Sequence, residues 1–298
     1  MQAFWIILTG SLVATSCGLL GNYLVLRRMA MMGDAISHAV LPGIVLAFFL
    51  TGTRDAMAML IGAGVLGLLT TFIIDFLHKR GKLQADASIG VTFTSLFAIG
   101  IILISAFAGQ VDLDQECVLY GEIAYVPIDL WILDGGTIMG PRAVYISGGV
   151  LLLVLTLIFV GYKELYLTTF DPVYAGVVGI STSLWQALLM GGVSMTTVAS
   201  FESVGAILVV AFLIAPAATA YLLTHSFRNM LWITVLLAII TSAGGYYLAV
   251  AINGSIAGAM ATVAGIIFML VFLFAPPSGL IWRLNGPKTE QPEELSAS

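Results

Sequence analysis

Charge is what this chain has least of. Only 9 % of its 298 residues are charged, against 60 % hydrophobic, and the mean hydropathy is +1.06. That balance excludes a soluble globular domain, and there is no basic patch for nucleic acid. Cysteine is nearly absent. Cys17 lies in an apolar run and Cys117 in a polar loop, so no disulfide between them is expected. Catalytic signatures are missing as well. No GxxxxGK[ST] phosphate loop is present, so the chain does not bind ATP through that motif. No HExxH helix and no G-x-S-x-G elbow occur, which weighs against an intramembrane enzyme. The alternation of a β-barrel strand is lacking too.

What remains is a series of continuous apolar runs of about 20 residues, the length that crosses a bilayer as a helix. They predict an all-α, polytopic membrane protein of eight or nine transmembrane helices. The spans fall near residues 4–26, 32–51, 56–77, 87–108, 143–160, 183–199, 204–223, 231–251 and 256–274, with the sixth the weakest. The first run has no basic residue before it and no small-residue cleavage site, so it is expected to be retained. With the N-terminus outside, Arg27, Arg28, Lys79, Arg80, Lys82, Lys163, Arg228, Arg283 and Lys288 fall inside, and only Arg54 and Arg142 outside. Residues 1–284 then form one membrane domain, and the polar segment 285–298 a disordered cytoplasmic tail.

One stretch organises the rest: Gly33-Asp34-Ala35-Ile36-Ser37-His38-Ala39-Val40-Leu41-Pro42-Gly43. Asp34 and His38 are four residues apart, hence one turn apart on one helix face. A carboxylate and an imidazole so placed can share a divalent cation as oxygen and nitrogen ligands. Ser37 lies beside them, and Pro42-Gly43 weakens the helix one turn later. The plainer alternative is a helix-start acid at the headgroup level beside a hydrogen-bonded neutral histidine. Residue types alone do not choose between the two. Two ligands are also half of a four-coordinate site, so the rest must come from other helices, water or a second subunit.

Three further features carry charge or expose apolar surface. The outside stretch 109–142 holds Asp112, Asp114, Glu116, Glu122, Asp129 and Asp134 against Arg142 alone, which attracts cations or a basic partner. A short helix or re-entrant segment is expected near Glu122. Glu202 reads either as a further pathway group or as an interfacial helix-start acid for the seventh span. His78 and His225 read as solvated loop residues. The internal connection 161–182 contains Asp171-Pro172, a capping side chain followed by proline in the first helical turn. The small apolar residues after it, with Tyr174 and Val178 on one face, read as a docking surface for a soluble subunit; the alternative is an interfacial helix lying on the bilayer, which the lack of a basic face disfavours.

These motifs resemble the metal-ion family of ABC importer permeases, whose members serve manganese, zinc and iron. The resemblance covers nearly the whole chain. It is sharpest at residues 33–43, at Thr169-Phe170-Asp171-Pro172, and from Val204-Gly205-Ala206 through Pro216-Ala217-Ala218-Thr219-Ala220. It implies a helical fold like that of the vitamin B12 importers and a core of two permease chains, identical or not. It also implies cytoplasmic ABC ATPase subunits docked on a coupling helix, with Phe170, Asp171, Pro172, Tyr174, Ala175 and Gly179 as its residues. An external metal-binding lipoprotein or periplasmic protein would deliver the ion. The setting would be a bacterial plasma membrane. No permanently bound cofactor is implied; the metal is cargo, passing Asp34 and His38, with Ser37, Glu122 and Glu202 as further pathway groups. A proton-coupled secondary transporter and a permease for chelated metal remain the alternatives.

Overall fold

The structure is a computed structural model, which describes residues 2–52, 56–107, 123–132 and 138–275. Among the described residues nine helical stretches are long and apolar enough to cross a membrane. The first is α1 (Gln2–Leu26). The second, Met32–Thr51, is broken into α2 (Met32–Ala39) and α3 (Leu41–Thr51). Then come α4 (Ala56–Lys79), α5 (Ala85–Phe107) and α6 (Arg142–Val160). Two short helices follow, α7 (Tyr162–Phe170) and α8 (Pro172–Val177). The last four spans are α9 (Thr182–Val204), α10 (Ala206–Leu223), α11 (Phe227–Ile252) and α12 (Ile256–Phe274).

The break in the second span follows from Pro42. Proline has no N–H, so the carbonyl of His38 has no donor four residues on. Val40 N–H closes α2 onto the Ile36 carbonyl at 3.1 Å. Its own carbonyl then receives Gly43 and Ile44 N–H at 2.9 and 3.2 Å, which starts α3. The sixth span, weakest in hydropathy, is nevertheless one continuous helix, α9. Between α5 and α6 a short helix or re-entrant segment is expected, and no strand. The structure has a 3-10 turn at Ile123–Tyr125 and a small antiparallel hairpin, β1 (Leu130–Ile132) with β2 (Ile138–Pro141). Ile123 and Val126 are buried there, which anchors this segment on the bundle.

Packing divides the spans into two groups. Helices α1, α10, α11 and α12 pack on one another, and α2 to α5 pack on one another. Helix α9 touches both groups, and α6 lies against α1 and α9. Pro216, Ala217 and Ala220 are buried in α10, so small side chains permit its close approach to its neighbours. The tightest seam in the second group joins α3 to α4. A methyl group added at Gly43 would meet the Gly62 carbonyl oxygen at 2.5 Å, and one added at Gly62 would meet that of Gly43 at 2.5 Å. Nothing larger than hydrogen fits.

Gly62→Val should therefore destabilise the chain by about 1–3 kcal/mol, the usual cost of overpacking. Gly64→Ala, which points into open space, should leave the melting temperature unchanged or slightly raised. Thermal unfolding of the detergent-solubilised protein compares them; equal melting temperatures would mean that the seam is not closely packed.

Candidate functional site

Helix α2 is short but two-faced. Met32, Ala35, Ile36 and Ala39 are buried, at the i, i+3, i+4, i+7 spacing of one helix face. Asp34 and His38 lie off that face, with side chains 38 % and 35 % exposed. His38 Nε2 is 3.5 Å from Asp34 Oδ1. An ion bonded to both at about 2.1 Å, with a tetrahedral angle between the bonds, would hold such atoms about 3.4 Å apart. The gap fits a shared transition-metal ion. The imidazole is flanked by two α5 rings, Phe93 and Phe97, with centroids at 5.7 and 5.6 Å. Ser37 Oγ donates to the Gly33 carbonyl at 2.8 Å, so its proton is committed to its own helix and only its lone pairs face outward.

The neighbours of α2 fix its depth. Gly33 lies against Leu213, midway along α10, and Ile36 lies over Gly67, midway along α4. Phe93 and Phe97 stand midway along α5. After α1 the chain therefore turns back into the bundle, and the pair sits at mid-depth. Asp34 does lie in the first turn of α2, as the plainer alternative has it, but α2 starts within the bundle rather than at headgroup level. An ionisable pair at such depth, beside a helix break, is costly unless it serves a route for ions.

Of the other proposed pathway residues, Ser37 stands beside the pair on α2, and Glu202 is placed here by its backbone alone. Glu202 lies in the last turn of α9, before Gly205 ends that helix at φ 79°. The helix-start reading of Glu202 is thus corrected: it stands at a C-terminal end, where the helix dipole does not favour an acid. Glu122, Asp112, Asp114, Glu116 and Asp134 fall outside the described residues, while Asp129 is exposed. Among the described residues no three His, Cys, Asp or Glu side chains converge on one point. His78 belongs to the last turn of α4 rather than to a loop, its Nδ1 2.9 Å from the Leu83 carbonyl oxygen. His225 is exposed in the α10–α11 connection, as expected.

A second cluster occupies the end of the bundle where α1 stops and α11 starts. Asp171 Oδ1 accepts the Tyr174 N–H at 2.9 Å, and Pro172 occupies the first turn of α8. The helix ends in a Schellman motif. Ile180 N–H reaches the Ala175 carbonyl at 2.9 Å and Gly179 N–H that of Gly176 at 3.2 Å, with Gly179 at φ 87°. The helix start expected at Asp171-Pro172 is thus present. Phe170, Tyr174 and Val178 are exposed, but Ala175 is fully buried, an anchor rather than a contact. The most exposed apolar residues of this turn, Val173 at 78 % and Val177 at 81 %, were not singled out from the sequence; their i, i+4 spacing after Pro172 was the available signal.

This turn rests on a stiff base. Arg27, just beyond α1, donates to Thr168 Oγ1 at 3.0 Å and Thr169 Oγ1 at 3.1 Å on α7. Burial pushes its pKa below the usual arginine value. Tyr166, Phe170 and Phe227 pack as a cluster of tilted and edge-on rings, Tyr166 to Phe170 at 4.6 Å.

The fold and these two sites define a membrane-spanning permease subunit of an ABC importer. The chain belongs to the ABC 3 transport family, whose model matches residues 2–275. It is 50 % identical over 94 % of both chains to the manganese transport system membrane protein MntD of Bacillus subtilis. It is 44 % identical to the zinc transport system membrane protein TroD of Treponema pallidum, over 93 % of this chain and 75 % of that one. Among solved structures it resembles PsaBC of Streptococcus pneumoniae in complex with Fab, with TM-score 0.75 and 33 % identity over 94 % of each chain. An inward-facing putative metal-chelate type ABC transporter shares the fold at TM-score 0.62 and 16 % identity, over 90 % of this chain and 84 % of that one.

Asp171→Ala should cost α8 about 1 kcal/mol, the usual value of such a cap. Amide exchange across residues 172–178 should then quicken about fivefold, with Asp171→Asn near the parent. Unchanged exchange in the alanine variant would mean that the cap does not hold the helix.

Proposed function

We propose that the chain moves a divalent transition metal, manganese or zinc, into the cytoplasm as the permease of an ATP-driven importer. The observation that carries this is the Asp34–His38 pair at mid-depth, its donor atoms 3.5 Å apart on the free face of α2. Carboxylate supplies charge and imidazole a borderline donor, a set that prefers manganese, zinc or iron to magnesium or calcium. Relatives named for manganese and zinc transport point the same way. The pair is half-exposed in a single chain, so a second permease chain, identical or different, presenting its own pair would complete four ligands. A site so assembled opens when the chains part, which lets the ion leave.

The partners follow from the surfaces. Cytoplasmic ABC ATPase subunits dock on the exposed apolar strip of α8 and hydrolyse the ATP; this chain transports. An external metal-binding lipoprotein or periplasmic protein docks at the acidic stretch 109–142. The N-terminus lies outside and the C-terminus in the cytoplasm of a bacterial plasma membrane, which sets Arg27, Arg28, Lys163 and Arg228 beside α8 on the inner face. Closure of the ATPase pair pushes α8, the helices shift, and the ion passes from the acidic mouth between Asp34 and His38 of each chain.

Exchange of both Asp34 and His38 for Ala should bring ATP-dependent manganese or zinc uptake in vesicles below about a tenth of the parental rate. The assembled complex and its ATPase should be retained. Normal uptake by the double variant would remove the pair from the mechanism. Uptake that needs no ATPase subunit and collapses with an uncoupler would instead establish a proton-coupled carrier.

A further inference from the structure

Asp75 stands one turn before the end of α4, inside the span Ile61–His78. Two effects oppose a carboxylate there. The bilayer penalises its charge, and the C-terminal end of a helix dipole repels it. It is nevertheless present, and Gln186 Nε2 of α9 donates to its Oδ1 at 2.8 Å. The bond joins residues 111 positions apart. It is charge-assisted and partly buried, conditions under which a hydrogen bond is stronger than in water.

Its place in the fold gives it meaning. Gln186 lies in the second turn of α9, and α9 begins directly after α8, with Ser181 as its cap. Trp185 covers Gly161 at the head of α7, so closely that no side chain fits beneath its ring. The stretch α7, α8 and the start of α9 is thereby one packed piece. On the other side of the bond, α4 meets α3 at the Gly43–Gly62 seam and carries Gly67 under Ile36 of α2. Helix α2 bears Asp34 and His38. The other anchor of the piece, Arg27 to Thr168 and Thr169, leads to α1 and hence to the opposite packing group.

We propose that the Asp75–Gln186 hydrogen bond is the positioning contact that passes displacement of α8 to α4, and so to the Asp34–His38 pair. It rests on the transport reading above and adds the route by which docking is felt at the ion. Neither residue touches the ion; both act through α4. With the bond broken, ATP is still hydrolysed and the pair still binds metal, but closure on the inner side no longer shifts α2. The packing of α9 on α4 and α2 remains, but without this polar tie it slips, and more of the motion is spent within the group of α1, α10, α11 and α12.

The test is the number of metal ions taken up per ATP hydrolysed by the full complex in vesicles, for Asp75→Leu, Gln186→Leu, Asp75→Asn, and the exchanged pair Asp75→Gln with Gln186→Asp. Each leucine variant should lower this ratio about fivefold, within the range of measured coupling energies, while ATPase rate and metal affinity stay near the parent. Asp75→Asn still accepts the amide and should keep the ratio, and the exchanged pair should restore most of it. An unchanged ratio in both leucine variants overturns the proposal. Proportional loss of uptake and ATPase with less assembled complex overturns it too, since that is the mark of a merely structural bond, and so does failure of the exchanged pair to recover. Absence of ATP-driven uptake in the parent complex is a different result, and rejects the transport reading itself.

Discussion

The proposed function turns on a carboxylate and an imidazole held side by side in the middle of an apolar bundle, on a helix face that stays half-open. Asp34 and His38 are close enough to share an ion, yet their atoms stand 3.5 Å apart and their face stays half-open. The backbone arrangement serves that end. Pro42 breaks the second span, so α2 becomes an eight-residue helix with its own axis. Its apolar stripe is locked against α4, α5, α9 and α10, which leaves the polar face no freedom to turn inward.

The same constraint explains how the remaining helices are grouped. The chain carrying the pair, α2 to α5, forms one packed unit, and the helices at the two ends of the sequence form another. Helix α9 lies between them and starts where the exposed turn at Asp171–Gly179 ends. The proposed ion site would need walls that move relative to one another to bind and release, and the division into two packing groups is compatible with that. The base of the exposed turn, by contrast, is stiff: two hydroxyls on one guanidinium and a cluster of aromatic rings hold it. In the proposed mechanism, a load applied to α8 would be passed on through this base.

Much of this was legible in residue order. The apolar runs gave the spans because backbone polar groups must be satisfied inside each helix in lipid. Asp171-Pro172 gave the start of α8 because cap and proline chemistry are local, and the adjacency of Asp34 and His38 could be read because i, i+4 spacing is local too. What failed was non-local. The depth of α2 depends on its contacts with Leu213 and Gly67, far along the chain. Glu202 was misplaced because Gly205, at positive φ, divides α9 from α10 where the apolar pattern runs on. The burial of Ala175 depends on the helices beside it, and the hairpin of β1 and β2 has no alternating pattern long enough to read. The bond between Asp75 and Gln186 joins two polar residues that neither hydropathy nor spacing connects.

The most direct measurement is pulsed electron paramagnetic resonance of Mn(II) bound to the assembled permease in lipid. If the pair holds the ion, the spectrum carries nitrogen hyperfine coupling from an imidazole, and the coupling disappears in His38→Ala. Coupling that persists in that variant, or manganese bound with no nitrogen beside it in the parent, would contradict the account.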